Sequence, residues 1–446
     1  LGAVGLIEQQ RLPRLHRLFS RAARRNTATC SFIILREDVR TQMYTAQEIV
    51  DYAAAEDVKF IRLAFCDVFG VPKNISIMPE ELPRAFSNGI SIDASAIRGF
   101  GDEAHSDLLL FPDAETITAL PWRPSHGRVV RLFADIRRSD GSLFPLDTRN
   151  ILKRMIAEAE SAGVVVNFGT EIEFYLFRLD ADGNATKIPY DNARYMDIAP
   201  LDRGENVRRE ICLTLDEMGI HPESSHHEDG PGQNEIDFRY SDAMKAADNA
   251  MTFPSAVRTV AMRNGLSADF SPKPIPHESG NGMHINLSLS KPHTESARDS
   301  FMAGLMDHIC EITAFLNPLE ASYARLGECK APRYVTWSPE NRSQLIRIPA
   351  AKGEFERIEL RSPDPAGNPY LSFALILAAG LDGIRRGLVP PPPTNLNLFT
   401  ADESVTRTLR QLPRSRAEAA ALAKDSAFVR SVLPSGIIDA FTGGID

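Results

Sequence analysis

The stretch Gly169-Thr170-Glu171-Ile172-Glu173-Phe174-Tyr175-Leu176-Phe177 mixes aromatic and aliphatic residues with two acids placed two apart, and it reads as a β-strand. Successive side chains on a strand alternate faces, so Glu171 and Glu173 point the same way. Neighbouring carboxylates repel unless their face is solvated or a positive charge lies between them. The segment alone leaves both readings open.

Other segments bear on that choice. In Ser224-Ser225-His226-His227-Glu228-Asp229-Gly230-Pro231-Gly232-Gln233-Asn234-Glu235-Ile236-Asp237 a Gly-Pro-Gly bend separates two acidic ends, so flanking strands would bring Glu228 and Glu235 to one site. Gly280-Asn281-Gly282-Met283-His284-Ile285-Asn286 leads a histidine onto a strand, and Arg357-Ile358-Glu359-Leu360-Arg361 alternates cations with one carboxylate. Acids with a single imidazole suit hard divalent cations such as Mg²⁺ or Mn²⁺ better than structural zinc, which makes a two-metal clamp on phosphate the natural hypothesis. The bland alternatives are a hydrogen-bonded structural His284 and a His226-His227 pair that only supports the strand carrying Glu228. Arg325, Arg342, Arg347, Arg357 and Arg361 crowd one region. Their forked guanidinium groups suit phosphate and carboxylate, the alternative being surface salt bridges of little individual worth. No G-x-x-x-x-G-K-[ST] sequence is present, so metals and arginines would have to hold the phosphates of any ATP.

The 446 residues are 43% hydrophobic and 24% charged, an ordinary globular composition that excludes disorder and disulfide miniproteins. A formal charge of -9 argues against nucleic acid as a partner. Cys30, Cys66, Cys212, Cys310 and Cys329 are odd in number and scattered, which points to a reducing cytoplasm. The most apolar run, Leu371 to Leu381, is too short to span a bilayer.

Leu1 to Gln42 is Arg-rich and acid-poor, and reads as an appendage outside the fold; it resembles a transit peptide, but the favoured reading is that it precedes the true beginning at Met43. Thr45 and Glu48 are spaced as a capping box for a helix. Val58 to Phe65 reads as a strand, Asp67 to Gly70 as a turn and Asn74 to Met78 as the hairpin partner. Pro121, Pro124 and Pro145 place the end of this small domain near Leu146, giving domains over 43–146 and 147–446. In the larger unit, helical patterns at Asp147 to Ala162, Glu205 to Met218, Asp242 to Asn264, Ala297 to Leu316 and Tyr370 to Arg386 alternate with strand-like runs, and Gly163, Gly219 and Gly265 stand where C-caps belong. The class is α+β. Pro390 to Pro393 reads as a stiff surface connector.

These motifs, in this order, resemble the bacterial type I glutamine synthetase family. The match runs from Phe65-Cys66-Asp67-Val68-Phe69-Gly70 and Asp93-Ala94-Ser95-Ala96-Ile97-Arg98-Gly99-Phe100 through the Glu171/Glu173 strand, His227-Glu228, Gln233-Asn234-Glu235 and Gly282-Met283-His284. It ends with Asn341-Arg342-Ser343 and Arg357 to Pro365. The resemblance implies a small N-terminal β-grasp domain and a catalytic domain with a mainly antiparallel curved sheet, assembled as a dodecamer of two hexameric rings with active sites between subunits. It implies that Glu173, Glu228 and Glu235 hold one metal and Glu171, His284 and Glu359 the other, with two or more Mg²⁺ or Mn²⁺ ions bound. Gly280, Arg325, Arg342 and Arg361 would grip glutamate, and Glu223, Tyr240, Ser288, Arg342, Arg347 and Arg357 would surround ATP. Asp67 would reach a neighbour's site to bind and deprotonate ammonium, with Arg342 and the flap position, here Lys330, completing the catalytic set. The implied reaction is ATP-dependent synthesis of glutamine from glutamate and ammonia through γ-glutamyl phosphate.

The chain departs from the family pattern in places. Gly327-Glu328-Cys329-Lys330-Ala331-Pro332 is one residue shorter than usual and puts Lys330 where a flap glutamate stands, Ser279 replaces a common asparagine, and Asp93-Ala94-Ser95-Ala96 varies the usual Asp-Gly-Ser-Ser. A lysine there disfavours bound ammonium, so the alternatives are a ligase joining glutamate to an organic amine and an idle paralogue. Leu398 and Phe399 stand where some members carry an adenylylated tyrosine, and lack the hydroxyl that this regulation requires.

Overall fold

The computed structural model describes residues 44–443, apart from 102, 103, 105, 124, 125, 352, 354 and 355. The expected appendage, Leu1 to Gln42, lies outside them. Thr45 opens α1 (Ala46–Ala55) with the expected reciprocal cap: the Glu48 amide donates to the Thr45 hydroxyl at 3.2 Å, and the Thr45 amide donates to the Glu48 carboxylate at 2.8 Å. α1 packs against a six-stranded sheet. The expected hairpin is β1 (Val58–Cys66) with β2 (Pro72–Ile77), and the Asp67 carboxylate closes the turn by accepting from the amides of Phe69 and Val71. β3 (Ile90–Asp93), β4 (Asp107–Pro112), β5 (Thr118–Ala119) and β6 (Arg128–Arg138) complete the sheet in the order β2-β1-β6-β4-β3, with β5 also on β6. The β1–β6 pair is parallel and its neighbours are antiparallel, which makes this unit a β-grasp.

The second sheet is built around β7 (Val165–Leu179), the strand anticipated from Gly169 to Phe177. Its order is β14-β15-β16-β13-β7-β10-β9, with β8 (Ala185–Pro189), β11 (Ser241–Asp242) and β12 (Leu266–Asp269) pairing farther along β7. The path strands are β9 (Pro222–His227), β10 (Gln233–Phe238), β13 (Met283–Lys291), β14 (Trp337–Pro339), β15 (Ile346–Ile348) and β16 (Ile358–Leu360). All pair antiparallel except β14 with β15. Phe168, Ile172, Phe174 and Leu176 occupy one face of β7 and are buried, Phe168 stacking on Phe373 with centroids 4.5 Å apart. The alternation that buries them turns Glu171 and Glu173 to the opposite face.

The five expected helices form as α2 (Thr148–Ser161), α3 (Glu205–Glu217), α4 (Ala243–Arg263), α5 (Glu295–Leu316) and α6 (Pro369–Arg386). Gly163, Gly219 and Gly265 follow three of them at φ 76°, 75° and 70°, the left-handed conformation that ends a helix at least cost in glycine. Where α5 meets α6, a Cβ on Gly304 would lie 2.2 Å from the Ala379 carbonyl oxygen, so that contact needs glycine. Arg149, on α2, ties helix α4 to the β-grasp sheet. It forks onto Asp248 of α4 through two 3.0 Å hydrogen bonds and reaches Asp113 at 2.9 Å and Asp135 at 3.1 Å beside the β-grasp sheet. None of the described helices is long and apolar enough to cross a membrane.

Candidate active site

Strand register assembles the acids into rungs. His284 of β13 lies opposite Glu171 of β7, which lies opposite Asp237 of β10 and, beyond it, Ser224 of β9. One rung along, Glu173, Glu235 and His226 stand in line. On the other flank Asn286, Glu359 and Arg347 form a third rung. Glu228 joins them because its amide donates to the Gln233 carbonyl at 2.8 Å, closing the Gly-Pro-Gly bend; its carboxylate lies 3.1 Å from His226 Nε2. The bend requires glycine at 230, where a Cβ would fall 1.9 Å from the Tyr175 hydroxyl.

Electrostatics mark this face as short of positive charge. Burial would raise the Glu171 carboxyl, but the His284 imidazole at 3.3 Å and the Asn286 amide at 2.8 Å hold it down at about 2. Burial and the charges of Asp237, Glu173 and Glu171 drive Glu235 well above the carboxylate range. Burial and Glu171 push Asp237 up to about 6, and burial with Glu228 also raises Glu173. Such mutual elevation is what a cation placed among the carboxylates would relieve.

Cations share with these acids a cavity of about 440 Å³ whose lining includes Glu171, Glu173, Glu228, Glu235, His284, Gly280, Arg325, Arg342, Arg347, Arg357, Arg361 and Lys330. Arg325 is buried beneath the Gly280–Gly282 loop and donates to the Ser362 carbonyl at 2.8 Å; a Cβ on Gly280 would meet its Cγ at 2.9 Å. Glu359 is fully buried between Arg347 and Arg361, the latter at 2.9 Å. Arg361 Nε has no hydrogen-bond partner among the described residues, leaving a buried donor for an anion.

The remaining sequence candidates lie elsewhere. Glu223, Tyr240 and Ser288 are outside the cavity lining: Glu223 lies on β9, Tyr240 between β10 and β11, and Ser288 on β13 opposite Asn167. Asp67 sits in its own β1–β2 turn, nearly inaccessible and 3.6 Å from Lys73. Glu328 is exposed and outside the lining, whereas Lys330 is part of it. Sequence reading did not single out Asp237, Asn286 or Tyr195. Asp237 carried a usable signal, since it continues the alternation of Glu235 on one strand. His226, taken there only as possible support, lies between Glu228 and Glu235, while His227 is buried against Asp191 at 2.9 Å.

The family model described as glutamine synthetase, catalytic domain matches residues 145–443, and the one described as glutamine synthetase, beta-Grasp domain matches 57–139. The chain belongs to the glutamine synthetase family. A glutamine synthetase of Methanosarcina mazei is 45% identical over 404 residues, covering 87% of this chain and 90% of its own, and one of Clostridium saccharobutylicum is 42% identical over 416, covering 90% and 94%. A solved GmaS/ADP complex superposes with a TM-score of 0.80 at 32% identity, covering 88% of this chain and 93% of its own. The Plasmodium falciparum glutamine synthetase shares the fold, with a TM-score of 0.79 at 23% identity over 90% and 95% of the two chains.

Glutamine synthetases typically use ATP and divalent metals, and the donor set here fits such ions. Glu171, His284 and Glu359 bring ligand atoms within 4.8 Å of one another, as do Glu173, Glu235 and His284, and His226, Glu228 and Glu235. Oxygen donors with imidazole at the margin suit Mg²⁺ or Mn²⁺. We expect MnCl₂ at a hundredfold excess over its Kd to stabilise the protein by about 2.7 kcal/mol, and EDTA to reverse this, read by thermal melting. The raised Asp237 carboxyl holds its proton in the folded chain where the unfolded chain has lost it, so its contribution to stability is full below about 4 and is lost as pH rises through about 6. The manganese-induced shift should therefore be larger above that window than within it.

Proposed function

We propose that the chain is an ATP-dependent ligase that joins the γ-carboxyl of glutamate to nitrogen through γ-glutamyl phosphate, with ammonia as the donor and glutamine as the product. The observation that carries this reading is that an acid-imidazole cluster and a set of arginines line one cavity. Divalent ions held by Glu171, His284 and Glu359 and by Glu173, Glu228 and Glu235 would neutralise the phosphates of ATP. Arg347 and Arg357 border the same space and suit the nucleotide's phosphates, with Glu223, Tyr240 and Ser288 proposed on its flank; the ADP in the GmaS complex supports a nucleotide site in this fold.

Arg325, Arg342 and Arg361, with the Gly280 backbone, are proposed to orient glutamate. A γ-carboxylate oxygen then attacks the terminal phosphorus, the bridging P–O bond breaks and ADP leaves with its electrons. The nitrogen of the deprotonated donor next attacks the acyl carbon, the C–O bond breaks and phosphate departs; the ammonium loses one proton before attack and the adduct loses another. Asp67 is proposed to serve a neighbouring subunit's cavity in a cytoplasmic dodecamer of two rings. Burying the intermediate matters because water competes for it.

A second reading, with an organic amine as donor, is favoured by Lys330, which lines the cavity where the family motif has an acid. ADP release from glutamate with ammonium, and then with methylamine, ethanolamine or putrescine, tests both. We expect release with ammonium; release only with an amine would establish the second reading, and none with any donor an idle paralogue.

A further inference from the structure

Gln233 precedes Glu235 by two positions on β10, so strand alternation turns it to the face that carries the acids, opposite Tyr175 of β7. It is fully buried at the cavity wall. Its carboxamide is engaged at both ends. Oε1 accepts from the Gly230 amide at 2.9 Å, while Nε2 lies 3.1 Å from Glu173 Oε2, 3.1 Å from the Gly280 carbonyl oxygen and 3.3 Å from Asn281 Oδ1. The flipped orientation would set Oε1 against oxygens that only accept, so the neighbours fix this one. A carboxamide nitrogen carries two hydrogens, and here three acceptors compete for them. One competitor, Glu173, belongs to the candidate metal ligands, and another, Gly280, to the loop proposed to orient glutamate. The Gly282 amide donates to the same Glu173 oxygen at 2.8 Å, so the carboxylate and the loop hold each other.

We propose that Gln233 is a positioning residue that couples the metal ligand Glu173 to the Gly280 loop, so that divalent metal and glutamate bind cooperatively through its carboxamide. The proposal rests on the ligase reading above and names the residue that links two parts of that site. Once Glu173 shares its charge with a cation, its oxygen is a poorer acceptor, and the Gln233 N–H groups are left to Gly280 and Asn281. That fixes the loop over Arg325, where a Cβ on Gly280 would meet the arginine Cγ at 2.9 Å. Linkage is reciprocal, so glutamate held against the loop tightens metal binding by the same factor. Asn286 provides the contrast. It donates to Glu171 at 2.8 Å and accepts from Arg357 Nε at 3.0 Å, supporting a metal ligand with no hydrogen bond to the Gly280 loop among the described residues.

The test titrates the full chain with MnCl₂, with and without saturating glutamate, and reads free manganese by electron paramagnetic resonance. We expect glutamate to lower the manganese Kd of the wild type about tenfold, and that of Gln233→Met about twofold or less. Gln233→Glu keeps the acceptor that the Gly230 amide uses and removes the donor, and should lose the response likewise. Asn286→Ala should weaken manganese binding yet keep the response to glutamate. A role confined to holding the bend at Gly230 would raise both Kd values and leave their ratio unchanged. A wild type whose manganese affinity ignores glutamate, Gln233 variants that keep the full ratio, or an Asn286→Ala variant that loses it equally would each overturn the coupling. ADP release from ATP with glutamate and ammonium or an amine, assayed on the same wild-type preparation, tests the ligase reading separately. Release without the coupling removes only the role of Gln233, whereas no release with any donor removes both.

Discussion

Glu228→Ala is expected to lower kcat by a factor on the order of 10³ or more in the presence of saturating magnesium or manganese, while the chain still folds and assembles. Glu228 is partly buried, 3.1 Å from His226, and its other oxygen accepts from the Asp229 amide at 2.9 Å. It contributes little to the core. Its negative charge raises both Glu173 and Glu235, so its removal relieves repulsion in the metal-free protein and should leave the melting temperature unchanged or higher without metal. The manganese-induced shift should shrink, because one oxygen ligand is gone. Glu228→Gln, which keeps the shape and removes the charge, should behave alike. Full activity in either variant, or an undiminished metal shift, would remove Glu228 from the ligand set.

The period-2 alternation of β7 could be read from sequence because acidic and hydrophobic residues trade places from Glu171 to Phe174, and burial of Phe168, Ile172 and Phe174 leaves one orientation for Glu171 and Glu173. Helix ends were equally legible, since capping is local: Thr45 with Glu48 at one terminus, Gly163, Gly219 and Gly265 at others. Pairings between distant segments were not. Nothing around Lys330 announces Asp229 or Tyr195 as partners, and the alternation that sets Arg361 beside Glu359 does not announce Arg347 on its other side. His226 and His227 look equivalent in sequence, yet strand alternation sends one toward Glu235 and the other into the core against Asp191. The family motif supplied Asp67 as a candidate, and only the structure shows it engaged in its own turn.

Arg149 exemplifies what local pattern cannot reveal, and its loss is expected to produce the largest change in stability. Its guanidinium is nearly inaccessible and contacts three carboxylates contributed by separate segments: Asp113, Asp135 and Asp248. Burial opposes its charge, but Asp248 and its companions raise its pKa well above the usual arginine value, so the cation is firmly held. Arg149→Met keeps most of the volume and leaves Asp248 buried with only the Tyr370 hydroxyl, at 2.7 Å, among the bonds it had accepted through its carboxylate. Asp113 and Asp135 fare better, since Lys153 reaches them at 3.2 Å and 2.7 Å. Breaking one side of a buried pair costs about 3–5 kcal/mol, against about 0–1 kcal/mol for an exposed pair such as Arg84 with Glu81. Urea unfolding at fixed protein concentration should separate Arg149→Met from Arg84→Met by that margin. If the unpaired Asp248 charge is the cause, adding Asp248→Asn to Arg149→Met should recover part of the loss; a loss no larger than that of Arg84→Met would show that the clamp between α4 and the β-grasp sheet is dispensable.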